Sequence, residues 1–156
     1  MRVTLPVSIP GRGDLQLEHL LLDVNGTLTN RGVPIAGVED RVDRLRGTLE
    51  IHLVSADTFG TLDGLAARLG VDAVRATTGE DKVRTMDALG RERCAVIGNG
   101  ANDALVLEAA VLGFAVLGPE GASASALRAA DVVCASVADA FDLLLDPQAL
   151  AATLRL

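Results

Sequence analysis

From residue 20 onward this sequence alternates short apolar runs with stretches of helical spacing, and that alternation restricts its fold more than any other feature. The runs are Leu20-Leu21-Leu22, Glu50-Ile51-His52-Leu53-Val54, Val71-Asp72-Ala73-Val74, Cys94-Ala95-Val96-Ile97, Phe114-Ala115-Val116-Leu117 and Val132-Val133-Cys134. Between them, residues 38–46, 62–69, 82–89, 103–110 and 122–129 place apolar side chains three and four apart, as an amphipathic helix does. Strands that alternate with helices are joined by right-handed crossovers, so the sheet is parallel and covered on both faces. The expected class is therefore α/β with a doubly wound parallel sheet. Residues 137–156 add one or two helices. Ahead of the first run, apolar and polar residues alternate around Pro10-Gly11-Arg12-Gly13-Asp14, the pattern of a β-hairpin that feeds the Leu20 strand. The Arg12-Gly13-Asp14 triplet is read as part of that turn and not as an adhesion signal.

Composition narrows the function classes. Aromatics are only 2% of the chain, with no Trp and no Tyr, so the core must be built from Ala, Leu and Val. Stacking platforms for bases or sugars are correspondingly disfavoured. A net charge of −7 offers no basic footprint for nucleic acid or an anionic membrane surface. No segment has the length of a membrane span, and residues 1–11 lack the apolar stretch of a signal peptide. Cys94 and Cys134 each sit inside an apolar run, the setting of small buried hydrophobes; a disulfide stays open, but a reduced, cytoplasmic protein fits better. His19 and His52 have no companions at ligand spacing along the chain, which argues against a zinc site. With 156 residues and no repeat or linker, residues 1–156 are read as a single domain.

In an open parallel sheet, ligands bind at the carboxyl ends of the strands. Three runs end in residues with chemistry to offer: Asp23, Ser55, and the loop Gly98-Asn99-Gly100-Ala101-Asn102-Asp103. A carboxylate, a hydroxyl and a Gly-rich polar loop are thereby expected along one edge. Lys82 is the only lysine, every other basic residue being arginine. It lies in the first turn of a helix opened by a capping box in Thr77-Thr78-Gly79-Glu80. A cation there opposes the helix dipole, costing up to ~1 kcal/mol if exposed. A nearby anion removes that penalty.

Asp23-Val24-Asn25-Gly26-Thr27-Leu28-Thr29, Ser55, Lys82 and Asn99–Asp103 resemble, in order and spacing, the four motifs of the haloacid dehalogenase-like superfamily. The first motif there is usually D-x-D-G-T-L-T and the fourth G-D-G-x-N-D. Asn25 and Asn99 replace an aspartate in each. Within the superfamily, Asn25–Thr29 and Ala130-Asp131-Val132-Val133 are similar to the phosphorylation domain of P-type ATPases, and small soluble P-type-ATPase-like proteins are the nearest likeness. The resemblance implies phosphatase or phosphotransferase chemistry through an aspartyl-phosphate on Asp23, with Ser55 and Lys82 holding the transferring oxygens and Asn25 at the acid–base position. It implies substrate contacts from Gly26, Thr27, Ala56 and Asn102, and Mg²⁺ held by Asp23, the Asn25 carbonyl, Asn99 and Asp103.

An amide cannot shuttle protons, and losing a general acid–base typically costs ~10²–10⁴ in rate. The expected function is therefore slow Mg²⁺-dependent phosphoryl transfer, or transfer restricted to activated phosphates. The alternative is a non-catalytic phosphate-binding or regulatory module. Asn25 and Asn99 each precede glycine, so deamidation would restore both aspartates. Neither interval between motifs has room for an inserted cap, which needs ~50 residues. An open site suits a phosphorylated small molecule or a phosphoprotein, unless a second copy of the chain covers it.

Overall fold

The computed structural model describes residues 4–156. Met1, Arg2 and Val3, which belong to the N-terminal stretch considered above, lie outside the described residues. The hairpin comprises β1 (Leu5–Ile9) and β2 (Gly13–Leu17), paired antiparallel with Leu5 opposite Leu17 and Ile9 opposite Gly13. Its alternation puts Leu5, Val7, Ile9 and Leu17 into the core. The chain continues through β3 (His19–Leu22), a short hairpin of β4 (Thr29–Asn30) and β5 (Val33–Pro34), α1 (Val38–Leu45) and β6 (Glu50–Ser55). Then follow α2 (Leu62–Leu69), β7 (Asp72–Arg75), α3 (Gly79–Leu89), β8 (Cys94–Gly98), α4 (Ala104–Ala109) and β9 (Leu112–Val116). The chain ends with α5 (Ala124–Ala129), β10 (Val132–Cys134), α6 (Val137–Leu145) and α7 (Pro147–Leu154).

Six strands form one sheet in the order β10-β9-β8-β3-β6-β7, every pair parallel. The chain builds outward from β3 through β6 to β7, then crosses back over β3 to start β8 on its other side. The carboxyl ends of β6, β3 and β8 therefore lie side by side at a reversal of strand order, where α/β sheets bind ligands. Between Asn30 and Glu50 there is room only for β5 and α1, and between Ser55 and Cys94 the major elements are α2, β7 and α3, so the edge stays uncapped.

The two faces have separate cores. Leu20, Leu22 and Leu53 pack with residues of α1, α2, α6, α7 and the β1–β2 hairpin. Leu21, Val54 and Val96 pack with Met86, Val106, Leu107 and Ala126 of α3, α4 and α5. Buried aliphatics fill both, as the composition requires, with Phe114 and Phe141 added to the first. Cys94 and Cys134 are buried free thiols in different cores, on opposite faces of the sheet, which rules out a bond between them. Burial pushes their thiols up to about 12 and about 11 respectively.

Three sequence expectations change. The capping box of α3 pairs Thr78 with Asp81, not Thr77 with Glu80: Thr78 Oγ1 accepts from the Asp81 N–H at 3.1 Å, and the Thr78 N–H donates to Asp81 Oδ2 at 3.2 Å. Thr78 has extended backbone angles and so is the true N-cap, one position later. The helix expected from Asp103 begins at Ala104, because residues 101–103 form a 3₁₀ turn. His19 and His52 are not isolated: parallel pairing of β3 with β6 sets Nδ1 of His19 3.2 Å from Nε2 of His52. Spacing along one strand could not reveal a contact made across two.

Candidate functional site

After β3 the chain leaves the sheet in a tight turn. The Val24 carbonyl accepts from the N–H groups of Thr27, Leu28 and Thr29, and Gly26 N–H donates to the Thr29 carbonyl at 2.9 Å. The Asn25 carbonyl takes no part in these bonds. Gly26 has φ +81°, and a Cβ there would lie 2.4 Å from Nδ2 of Asn99. Both the positive φ and the close approach of the β8 loop therefore demand glycine. At the end of β8, a Cβ on Gly98 would lie 2.6 Å from the Asp103 carboxyl. The missing side chain makes room for that carboxylate to turn back over its own strand.

Asp103 is 1% exposed and is held by three protein donors. Its Oδ2 accepts from the N–H groups of Asn99 and Gly100 at 3.1 and 3.0 Å, and its Oδ1 accepts from Lys82 Nζ at 2.7 Å. The same ammonium donates to Asp23 Oδ1 at 3.0 Å. Lys82 is 2% exposed and reaches the site from α3, across the sheet edge. The anion that favours a lysine in the first turn of α3 is thus a pair of carboxylates belonging to the protein. Below this group a void of about 10 Å³, walled by Leu21, Val54, Val96 and Val106, has room for one water at most.

These charges perturb each other strongly. Burial, then the negative charge of Asp103, push the Asp23 carboxyl up to about 7, although Lys82 opposes both. Burial alone would lower the Lys82 ammonium, but the attraction of Asp23 and Asp103 outweighs it and holds the group above its ordinary value. Once Asp23 is ionised, two carboxylates and one ammonium leave one net negative charge in this buried pocket.

Asn99 completes the cluster. Its Nδ2 donates to the Gly121 carbonyl at 3.0 Å, and its Oδ1 lies 3.3 Å from the Thr27 hydroxyl. That hydroxyl is also 3.2 Å from Asp23 Oδ2. Oxygens from the ends of β3 and β8 therefore converge on one buried side chain. Ser55, at the end of β6, is buried and its Oγ accepts from the Asp57 N–H at 2.9 Å. Ala56 and Asn102 are exposed at the rim, and Asn25 is half-buried. The structure thus joins Asp23, Thr27, Lys82, Asn99 and Asp103 in one hydrogen-bonded network, with Ser55 one strand away. No side-chain hydrogen bond links Ser55, Ala56, Asn102 or Asn25 to the network among the described residues.

Several neighbours escaped the sequence reading. Asp57 has φ +60° and holds the Ser55 loop, accepting from the Leu62 N–H at 3.0 Å and from the Arg75 guanidinium. Glu120 accepts from the Arg31 N–H at the tip of the β4–β5 hairpin. Gly121 orients Asn99. Only the Ser-x-Asp pattern of Ser55 and Asp57 carried a local signal, that of a side-chain-capped turn.

No family model matches the chain. Its fold is that of the haloacid dehalogenase-like (HAD) hydrolases. The cobalt-bound deoxy-D-mannose-octulosonate 8-phosphate phosphatase of Haemophilus influenzae superposes with TM-score 0.67 at 19% identity, over 86% of this chain and 91% of that one. A phosphatase for 3-deoxy-D-manno-octulosonate 8-phosphate from Moraxella catarrhalis, solved with magnesium, phosphate and KDO, gives 0.65 at 18%, over 89% and 94%. The catalytic domain of the CPx-ATPase CopB-B gives 0.58 at 24%, over 76% of this chain and 46% of that one. At these identities the likeness is one of fold. In sequence, the chain is 40% identical over 78 residues to the uncharacterized protein MJ0073 of Methanocaldococcus jannaschii, covering 47% of this chain and 84% of that protein. It belongs to the same family as that protein. No helix among the described residues is long and apolar enough to cross a membrane.

Proposed function

We propose that this chain is a phosphoryl-transfer domain of the HAD type, in which Asp23 takes a phosphoryl group from an activated donor and releases it slowly. One observation carries the reading: the only lysine of the chain is buried between the two carboxylates of the strand-order reversal. A core that needed only stability would be served as well by apolar residues of similar volume, since buried ion pairs are weak stabilisers. In phosphoryl transfer the same ammonium is needed, as a fixed positive charge for the equatorial oxygens.

Asp23 attacks phosphorus in line: a bond forms from a carboxylate oxygen to phosphorus, and the bond to the leaving oxygen breaks with its electron pair. Ser55 can donate its hydroxyl proton to a phosphoryl oxygen while its Oγ keeps the Asp57 N–H. Asp103 holds Lys82 in place and ties it to the Asn99 loop. Asn25 supplies no proton to the leaving group, so donors must carry a good one, such as an acyl phosphate or a phosphoanhydride. Asn25 also activates no water, so the aspartyl-phosphate persists.

The donors present suit a hard divalent cation. Asp23 Oδ2 and Asn99 Oδ1 converge on Thr27, and the Asn25 carbonyl lies outside the turn's hydrogen bonds, giving an all-oxygen set of the kind Mg²⁺ takes. Asp103 can join only by sharing an oxygen already held by N–H donors. When bound, Mg²⁺ would offset the net negative charge and favour approach of a phosphate. Deamidation gains little support: the backbone nitrogens that would attack, those of Gly26 and Gly100, both donate hydrogen bonds, to Thr29 O and Asp103 Oδ2.

The test is incubation with acetyl phosphate and an aryl phosphate, with and without Mg²⁺, for wild type and Asp23→Asn. A stoichiometric phosphoenzyme that requires Mg²⁺ and Asp23 is expected. Equal inertness of the two proteins with every donor would reject the enzyme. The fit of the Asn99 amide to the Gly121 carbonyl favours the second reading, a phosphate-binding module; it would then bind phosphate without forming the phosphoenzyme.

A further inference from the structure

At the opposite end of the sheet from Asp23, the amino ends of β3 and β6 hold a group of side chains that phosphoryl transfer does not use. His19 and Glu50 are register partners across the two strands, and His52 stands two residues beyond Glu50 on the same face. Nδ1 of His19 lies 3.2 Å from Nε2 of His52 and 3.5 Å from Oε2 of Glu50. All three ligand atoms fall within 4.8 Å of one another. Both imidazoles are buried, while Glu50 is exposed.

We propose that His19, His52 and Glu50 form a binding site for a first-row transition metal ion, Zn²⁺ being the natural probe. Two nitrogen ligands at Zn–N distances of about 2.0–2.1 Å in a tetrahedron lie about 3.3–3.4 Å apart, close to the separation found here. A hydrogen bond explains that contact equally well by itself, but it does not explain what surrounds the pair. The ring nitrogens that face away from the shared point are each turned toward a carboxylate. His52 Nδ1 is 3.8 Å from Asp72 Oδ2, and His19 Nε2 is 3.9 Å from Glu18 Oε2, which also pairs with Arg93. Outer carboxylates behind metal-binding imidazoles orient the rings and raise their basicity. At these distances a bridging water or a small rotation completes the contact. Three carboxylates around two imidazoles make the spot attractive to a cation, and a mixed imidazole–carboxylate set suits Zn²⁺ better than Mg²⁺.

Such an ion would clasp β3 to β6, the strands that present Asp23 and Ser55 at their other ends. It would bind only the folded chain, because the ligands meet through strand pairing, and so would raise thermal stability.

The test titrates metal-stripped protein with Zn²⁺ by calorimetry and with Co²⁺ by the visible bands of a four-coordinate ion. Wild type and Asp23→Asn are both expected to bind one equivalent, which keeps this site distinct from the one at Asp23. At free Zn²⁺ about a hundredfold above Kd, the melting temperature should rise by about 5–10 °C. His52→Gln should abolish binding, and Glu50→Gln should weaken it tenfold or more. Absence of binding by wild type, or unchanged affinity in Glu50→Gln, overturns the proposal. Glu50 is exposed, so its variant decides the matter even if His52→Gln fails to fold.

Discussion

The side-chain amide of Asn99 donates to the Gly121 carbonyl at 3.0 Å and thereby keeps its oxygen turned toward Thr27 and Asp23. An aspartate at this position would set a carboxylate oxygen against that carbonyl. It would also add a negative charge to a pocket that already carries one.

Asn99→Asp should therefore destabilise the chain by about 1–3 kcal/mol in chelator, the usual cost of an unsatisfied buried group. Added Mg²⁺ should recover most of that loss, because a second carboxylate binds the ion more tightly. Urea unfolding with and without Mg²⁺ checks both halves.

Lys82→Met keeps the length of the side chain and removes the charge, leaving Asp23 and Asp103 buried side by side. A loss of about 3–5 kcal/mol at pH 8 is expected, as when one partner of a buried pair is deleted. The loss should shrink at pH 5, where Asp23 is protonated, and denaturant melts at the two pH values measure the difference.

Asp23 also leaves a signature in wild-type stability. Its carboxyl titrates at 3.8 when unperturbed and at about 7 in the fold, pushed up by burial and then by Asp103. Between those values the folded state holds a proton that the unfolded chain has lost, so stability falls as pH rises from about 4 to about 7. Asp23→Asn should match wild type near pH 4 in chelator and exceed it at pH 8 by at least about 1 kcal/mol, some 2–4 °C in melting temperature.

In the proposed phosphoryl transfer, Asn25→Asp places an acid–base group near Asp23. Steady-state turnover of an aryl phosphate should rise by about 10²–10⁴, and the fraction of protein trapped as phosphoenzyme should fall. A higher turnover with unchanged trapping would place the slow step elsewhere.

Much of this was legible in the sequence. The alternation of apolar runs and helical spacing gave the parallel sheet, and the residues ending the runs gave Asp23, Ser55 and the Asn99–Asp103 loop, because local periodicity reports which way a side chain faces. The singular Lys82 marked itself by composition. The hairpin β4–β5 went unseen, since two-residue strands carry no periodicity, and the capping box was placed one residue early, because consecutive threonines offer equivalent caps until backbone angles choose between them.

The sequence by itself determined the class of fold and placed Asp23, Ser55 and the Asn99–Asp103 loop along one edge of the sheet. Tertiary structure alone decided how those residues are joined. It joined Lys82 to carboxylates 59 and 21 residues away in the chain, turned Asp103 inward to hold it, and fitted the Asn99 amide to a carbonyl on another loop. It also brought His19 against His52, 33 residues on. These contacts run between strands and across crossovers, where neighbours are set by sheet order and register, and neither is written in the spacing of any one segment.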